Sequence, residues 1–269
     1  MASDLWRKIN YKTPIKYFIN TYIREYDLSK ANINALLYQK RITKKQYDQL
    51  YNMDKQNREV LIGLMIRDDY SIYTDIRDGI IEAKRKLFYS NKLEDYDIVA
   101  IKNDAVFILS KPLEFTMFQP FDFRIKNEYT MYMQLAELEV YYSDSIDENG
   151  NVSYNIDVKG MSDDKLALHE TGMLSLICDI CYRLQREHIS KVLSYLTSIY
   201  DKFIQRQLPL VFYRSFDPFS LYTIHTKYRA YSVMDLDNSY INIVDIGRNN
   251  IIFRDLLFIV SDIYRTRVR

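Results

Sequence analysis

Apolar residues recur every three to four positions in some stretches of this chain and alternate or run together in others. From Leu28 to Leu37 the apolar positions Leu28, Ala31, Ile33, Ala35, Leu36 and Leu37 predict a helix, with Asp27 as its N-cap. Thr43 opens a second helix with Gln46 at the capping-box position. That helix runs through Lys55 to Met65, with a break near Asn52. A third spans about Ile72 to Asn91, with Ile76, Ile80, Ala83, Leu87 and Phe88 on one face. Residues Thr13 to Glu25 mix β-branched and aromatic types and fit either a strand or a helix.

From Asp97 to Leu109 two apolar, β-rich runs flank Lys102-Asn103-Asp104, which reads as a hairpin with a carboxylate at its tip. Strand-like segments follow at Phe121 to Ile125, Tyr129 to Met133, Leu138 to Tyr142 and Val152 to Val158. The last two are separated by the turn Asp147-Glu148-Asn149-Gly150-Asn151. Helical periodicity returns from about Lys165 to Gln207, ended by Pro209, and again from Asn250 to Tyr264. The pattern predicts an α+β chain with a helix-rich C-terminal part and a boundary near Met161.

Composition narrows the function classes. The chain has 269 residues, 48% of them hydrophobic, so it can bury one large core or two small ones. Its net charge of +1 gives no global signature of nucleic-acid binding. Tyrosine is abundant (25 residues) while glycine (6) and proline (5) are scarce, a bias expected of an AT-rich bacterial or phage genome. The only cysteines, Cys178 and Cys181, fall inside an apolar helical run and read as buried structural thiols. No apolar stretch approaches the roughly 20 residues a membrane span needs. The amino terminus lacks a signal-peptide core, so a cytoplasmic protein is expected, in a host cytoplasm or a virion if phage-encoded.

Glycine-rich phosphate loops, dinucleotide fingerprints and the Gly-x-Ser-x-Gly elbow do not occur. His169, His188 and His225 are scattered, and Asp163-Asp164 reads as charge at a helix start. Two carboxylates remain. Asp27 fits a helix N-cap or a metal ligand, and Asp104 a turn residue or a metal ligand.

The order of elements resembles the palm, fingers and thumb of family B DNA polymerases. The family's first motif is an Asp followed by a short helix, a place Asp27 holds. Its fingers motif has Lys, Asn, Tyr and Gly at the spacing here occupied by Lys55, Glu59, Ile62 and Gly63. Gly79 with Ala83-Lys84 looks like part of the family's next helix. Lys102-Asn103-Asp104-Ala105 is similar to the third motif, Asp-Thr-Asp-Ser, with its second Asp kept as Asp104 and its first replaced by Lys102. Lys159-Gly160 resembles a family element that touches the primer-template backbone. The Ser-Leu-Tyr-Pro that follows the first Asp in the family is Lys30-Ala31-Asn32-Ile33 here, without the aromatic sugar gate.

The resemblance implies a polymerase-like palm with reduced fingers over 1–160 and a helical, thumb-like part over 161–269. The chain ahead of Asp27 is short, so a phage-like form without the proofreading exonuclease is expected. Asp27 and Asp104 would be the catalytic metal ligands for two Mg²⁺ ions. Lys55, Arg58 and Gly63 would bind the incoming dNTP, unless Lys55 and Arg58 lie on a merely solvated helix face. Lys159, Gly160, Arg183, Arg186 and Lys191 would hold primer-template DNA. The implied activity is template-directed DNA nucleotidyl transfer, alone or as the palm-thumb subunit of a split polymerase. The alternative is a non-catalytic phage virion or assembly protein whose partners are other proteins, reached through tyrosine-rich surfaces.

Overall fold

Where β-branched and aromatic side chains crowd a segment, nonlocal pairing decides between strand and helix. For the undecided N-terminal stretch the outcome is a strand, β2 (Tyr17–Leu28), preceded by a short β1 (Asn10–Lys12). A computed structural model describes residues 4–109, 112–149, 152–160, 172–213, 223–225, 230–232 and 243–267. Among these the fold is α+β, with an antiparallel sheet and seven α-helices. The chain divides into two compact units, Met1–Pro14 with Thr21–Glu128, and Ile15–Asn20 with Tyr129–Arg269.

In the first unit, β3 (Ile98–Lys102) and β4 (Ala105–Leu109) form the expected hairpin. The strand order there is β1-β3-β4-β2 and then β6 (Phe121–Leu135), which a short β5 (Met117–Phe118) also pairs. Four helices accompany this sheet: α1 (Ala31–Tyr38), α2 (Lys44–Asn52), α3 (Lys55–Asp68) and α4 (Ser71–Asn91). Their apolar faces share a core with one face of the strands, including Tyr26, Leu28, Ile33, Leu36, Ile80, Leu87, Ile101, Val106 and Ile108. The capping box at Thr43 and Gln46 is complete, and Asp54 caps α3 after the expected break.

One expectation fails here. Asp27 is not the N-cap of α1: the cap position is Lys30, in a left-handed conformation (φ 49°). The backbone of Asp27 is instead committed to the β2–β4 ladder, opposite Ala105.

In the second unit, β6 is followed by β7 (Leu138–Ile146) and β8 (Val152–Lys159) in an antiparallel meander. Three helices, α5 (Met173–Arg186), α6 (Ile189–Ile204) and α7 (Ile243–Arg267), share a core with these strands. Val140, Tyr142 and Val158 meet Ile177, Ile180, Val192, Leu196 and Phe253 there. The strands over 129–160 therefore belong with the C-terminal helices, and the units divide at Glu128/Tyr129 rather than at 160/161. A small pair, β9 (Thr223–His225) with β10 (Ala230–Ser232), forms a second, two-stranded sheet. Cys178 and Cys181 lie on α5, and burial pushes the Cys178 thiol up to about 11, as befits an inert structural group. No described helix is long and apolar enough to cross a membrane.

Candidate functional site

The hairpin turn consists of Asn103 and Asp104 alone, because Lys102 pairs directly with Ala105. Asn103 takes the left-handed conformation (φ 53°) that Asn tolerates better than most residues, and its amide donates to the Ile9 carbonyl at 2.7 Å. β4 lies antiparallel to β2, placing Asp27 opposite Ala105, and the Leu28 amide donates to the Asp104 carbonyl at 3.2 Å. Asp27 and Asp104 thus come from neighbouring strand ends, both half-buried. Burial raises the Asp104 carboxyl above the ordinary range, and the negative field of Asp27 pushes it the same way. Lys126 and Lys84 pull in the opposite direction but do not win.

Those two cations, and a third carboxylate, were not among the residues that the sequence pointed to for a role at the site. Glu25 precedes Asp27 by two positions and therefore shares its face of β2. It is only 2% exposed, with Lys126 Nζ at 3.4 Å and Asn127 Nδ2 donating at 2.7 Å. Lys84, on α4, is wholly buried, and its Nζ donates to the Lys8 carbonyl at 2.5 Å. Burial pushes its ammonium down to about 8, with the Asp104 charge opposing. The i, i+2 spacing of Glu25 and Asp27 is a usable signal once the segment is known to be a strand. Lys84 carries no such signal, since its partner lies 76 residues away.

The other expected residues of the first unit scatter in character. Lys55 is the first residue of α3 and is exposed. Arg58 is buried, and its Nη1 donates to the Met53 carbonyl at the end of α2 at 3.2 Å, so it does not lie on a solvated face. Glu59 accepts a 2.9 Å bond from Asn32 Nδ2 on α1. Gly63 has open space where a Cβ would stand.

In the second unit, Lys159 ion-pairs with Asp157 at 2.5 Å, and Asp157 also accepts from the Tyr129 hydroxyl at 3.1 Å. Gly160 has φ +98°, a conformation that favours glycine. Arg183 pairs with Asp179 and Glu187 and stacks over Tyr195, while Arg186 pairs with Asp144 and stacks over Tyr182. Lys191 is exposed on the first turn of α6, whose N-cap is His188. Asp163, Asp164, His169 and Glu170 lie outside the described residues.

Among the described residues no cluster of three or more His, Cys, Asp or Glu could hold a metal ion. The candidate donor set is the pair Asp27 and Asp104. Two carboxylates suit a hard cation that keeps waters or takes phosphate oxygens in its remaining positions, and they do not suit a closed protein cage. The like-charge field that raises Asp104 is the field such a cation relieves.

Compared with known proteins, the chain matches the family described as Bacteriophage PBS1 gene 130 protein over residues 1–265, and it belongs to that family. No curated protein matches it.

Proposed function

We propose that this member of the Bacteriophage PBS1 gene 130 protein family is a palm-like DNA nucleotidyltransferase, or the palm-thumb subunit of a split phage DNA polymerase. One observation carries the reading: Asp27 and Asp104 lie on adjoining strand ends, and Asp104 feels the charge of Asp27. That juxtaposition is what the resemblance to family B polymerases requires of its two metal ligands. Bound Mg²⁺ would supply activation of a primer 3′-hydroxyl and neutralisation of a triphosphate. In this chain Asp27 and Asp104 would hold the ions.

Exposed Lys55, at the start of α3, offers a point charge to triphosphate oxygens. Arg58 and Gly63 enter the reading less directly, Arg58 as the link that fixes α3 to the end of α2. For primer-template DNA, Lys191 is exposed, whereas Lys159, Arg183 and Arg186 reach a phosphate only by exchanging their carboxylate partners. Gly160 stands beside Lys159 in that reading, with a backbone conformation that favours glycine. The partners are then primer-template DNA, dNTP and the remaining subunits of the polymerase.

A second reading, a non-catalytic virion or assembly protein, is favoured by Val60, Leu61 and Leu64, which stand exposed together on α3. Primer extension with Mg²⁺ or Mn²⁺ separates the two. The enzyme reading predicts incorporation by the wild type, alone or with its phage-encoded neighbours, and none by Asp104→Ala. Absence of incorporation by the wild type under both conditions ends it.

A further inference from the structure

Lys84 is the most deeply buried cation near the carboxylate hairpin, and its hydrogen bond reaches the N-terminal segment rather than another side chain. Two consecutive carbonyls of that segment are held at the hairpin tip: Lys8 accepts from Lys84 Nζ at 2.5 Å, and Ile9 accepts from the Asn103 amide at 2.7 Å. Beyond them β1 runs antiparallel to β3, with Asn10 opposite Lys102 and Lys12 opposite Ala100. The Thr13 amide then donates to the Val99 carbonyl at 2.8 Å. On the other side, Trp6 is buried against Tyr89 of α4, with ring centroids 6.5 Å apart. Residues 6–13 are therefore fastened at both ends, and the Asn103-Asp104 turn is gripped between.

Burying an ammonium is costly unless its charge and donors find partners. A hydrophobic side chain at position 84 would fill the same space without that cost. Asn103 carries a second cost, a left-handed backbone without being glycine, which persists where neighbours hold it in place.

We infer that Lys84 is a positioning residue for the carboxylate pair. Through the Lys8 carbonyl it fixes Ile9 against Asn103, and so fixes the turn that presents Asp104 to Asp27. This rests on the reading of that pair as a divalent-cation site.

The test uses the full chain and two readouts, hydrogen exchange of the Asn103 amide and Mn²⁺ affinity by electron paramagnetic resonance. Lys84→Met, folded by circular dichroism, is expected to exchange the Asn103 amide at least tenfold faster. Its Mn²⁺ affinity falls about 10- to 100-fold, the loss usual when a group that orients a ligand is removed. Lys84→Arg restores part of both. Wild-type exchange and affinity in folded Lys84→Met overturn the inference. If Lys84→Met does not fold, Lys84→Gln, polar but one bond too short to keep the contact with the Lys8 carbonyl, takes its place, and wild-type values there overturn it equally. A wild type that binds no Mn²⁺ overturns the cation-site reading, and the inference about Lys84 falls with it. Wild-type Mn²⁺ binding with unchanged Lys84→Met values overturns the inference alone.

Discussion

Asp27 on β2 and Asp104 at the β3–β4 turn are neighbours across the sheet, joined by the bond from the Leu28 amide to the Asp104 carbonyl at 3.2 Å. Burial and the Asp27 charge raise the Asp104 carboxyl in the folded chain. The folded state then binds a proton that the unfolded state has released, so stability falls as pH rises through the window between the ordinary value, about 3.9, and the raised one. Above the ordinary value the Asp104 carboxyl therefore costs stability relative to a neutral side chain in the same place. Asp104→Asn is expected to raise Tm at pH 7, and its advantage is expected to vanish below about pH 4. Thermal melts at the two pH values check this, and an unchanged or lower Tm at pH 7 contradicts it. A stability cost at such a pair is what a functional site tolerates and a structural one does not.

Lys84 gives a shift of the opposite kind. Its folded value is lowered to about 8, while an unfolded lysine titrates near 10.4. Between those values the unfolded chain binds a proton the folded chain has lost, so this group adds stability as pH rises. The increment is on the order of 3 kcal/mol. Urea unfolding at pH 7.5 and pH 10 is expected to show wild type gaining on Lys84→Met by a part of that amount. Tyrosine ionisation, including that of Tyr17 raised to about 12, is common to both proteins and cancels in the difference. A flat difference counts against a buried, titrating Lys84.

Gly79 and Gly63 predict opposite outcomes for one substitution. A Cβ on Gly79 would stand 2.6 Å from the Ala35 Cβ and 2.8 Å from its Cα, so α4 crosses α1 at a contact only glycine allows. Gly79→Ala is expected to destabilise by about 1–3 kcal/mol, the usual range for overpacking, even though alanine is the better helix former. Gly63, within α3, meets nothing within 4 Å. Gly63→Ala is expected to stabilise by up to about 1 kcal/mol. Denaturation midpoints of the two variants decide the matter, and changes of equal sign contradict the packing described.

The elements that the sequence disclosed are those written in local contacts. Thr43 and Gln46 cap α2 reciprocally, with Gln46 Oε1 accepting the Thr43 amide at 2.8 Å, and both partners are three residues apart. The β3–β4 hairpin carries its own turn. By contrast, β2 is a strand because β4 and β6 pair with it, and nothing within Thr13 to Glu25 specifies that choice. β6 runs unbroken from Phe121 to Leu135, although polar Lys126-Asn127-Glu128 looked like a gap. Those residues stay in the strand because Arg24 and Glu25, about a hundred positions earlier, bind them. The same distance in sequence hid Glu25, Lys126 and Lys84 from the candidate site, while Asp27 and Asp104 were found through the order of elements.

Mn²⁺ binding to the full chain, followed by electron paramagnetic resonance in wild type, Asp27→Asn and Asp104→Asn, tests the shared carboxylate site most directly. The wild type is expected to bind, with an affinity at least about tenfold weaker in each variant, since neither carboxylate alone makes the site. Equal affinity in all three proteins, or no binding by the wild type, would contradict it.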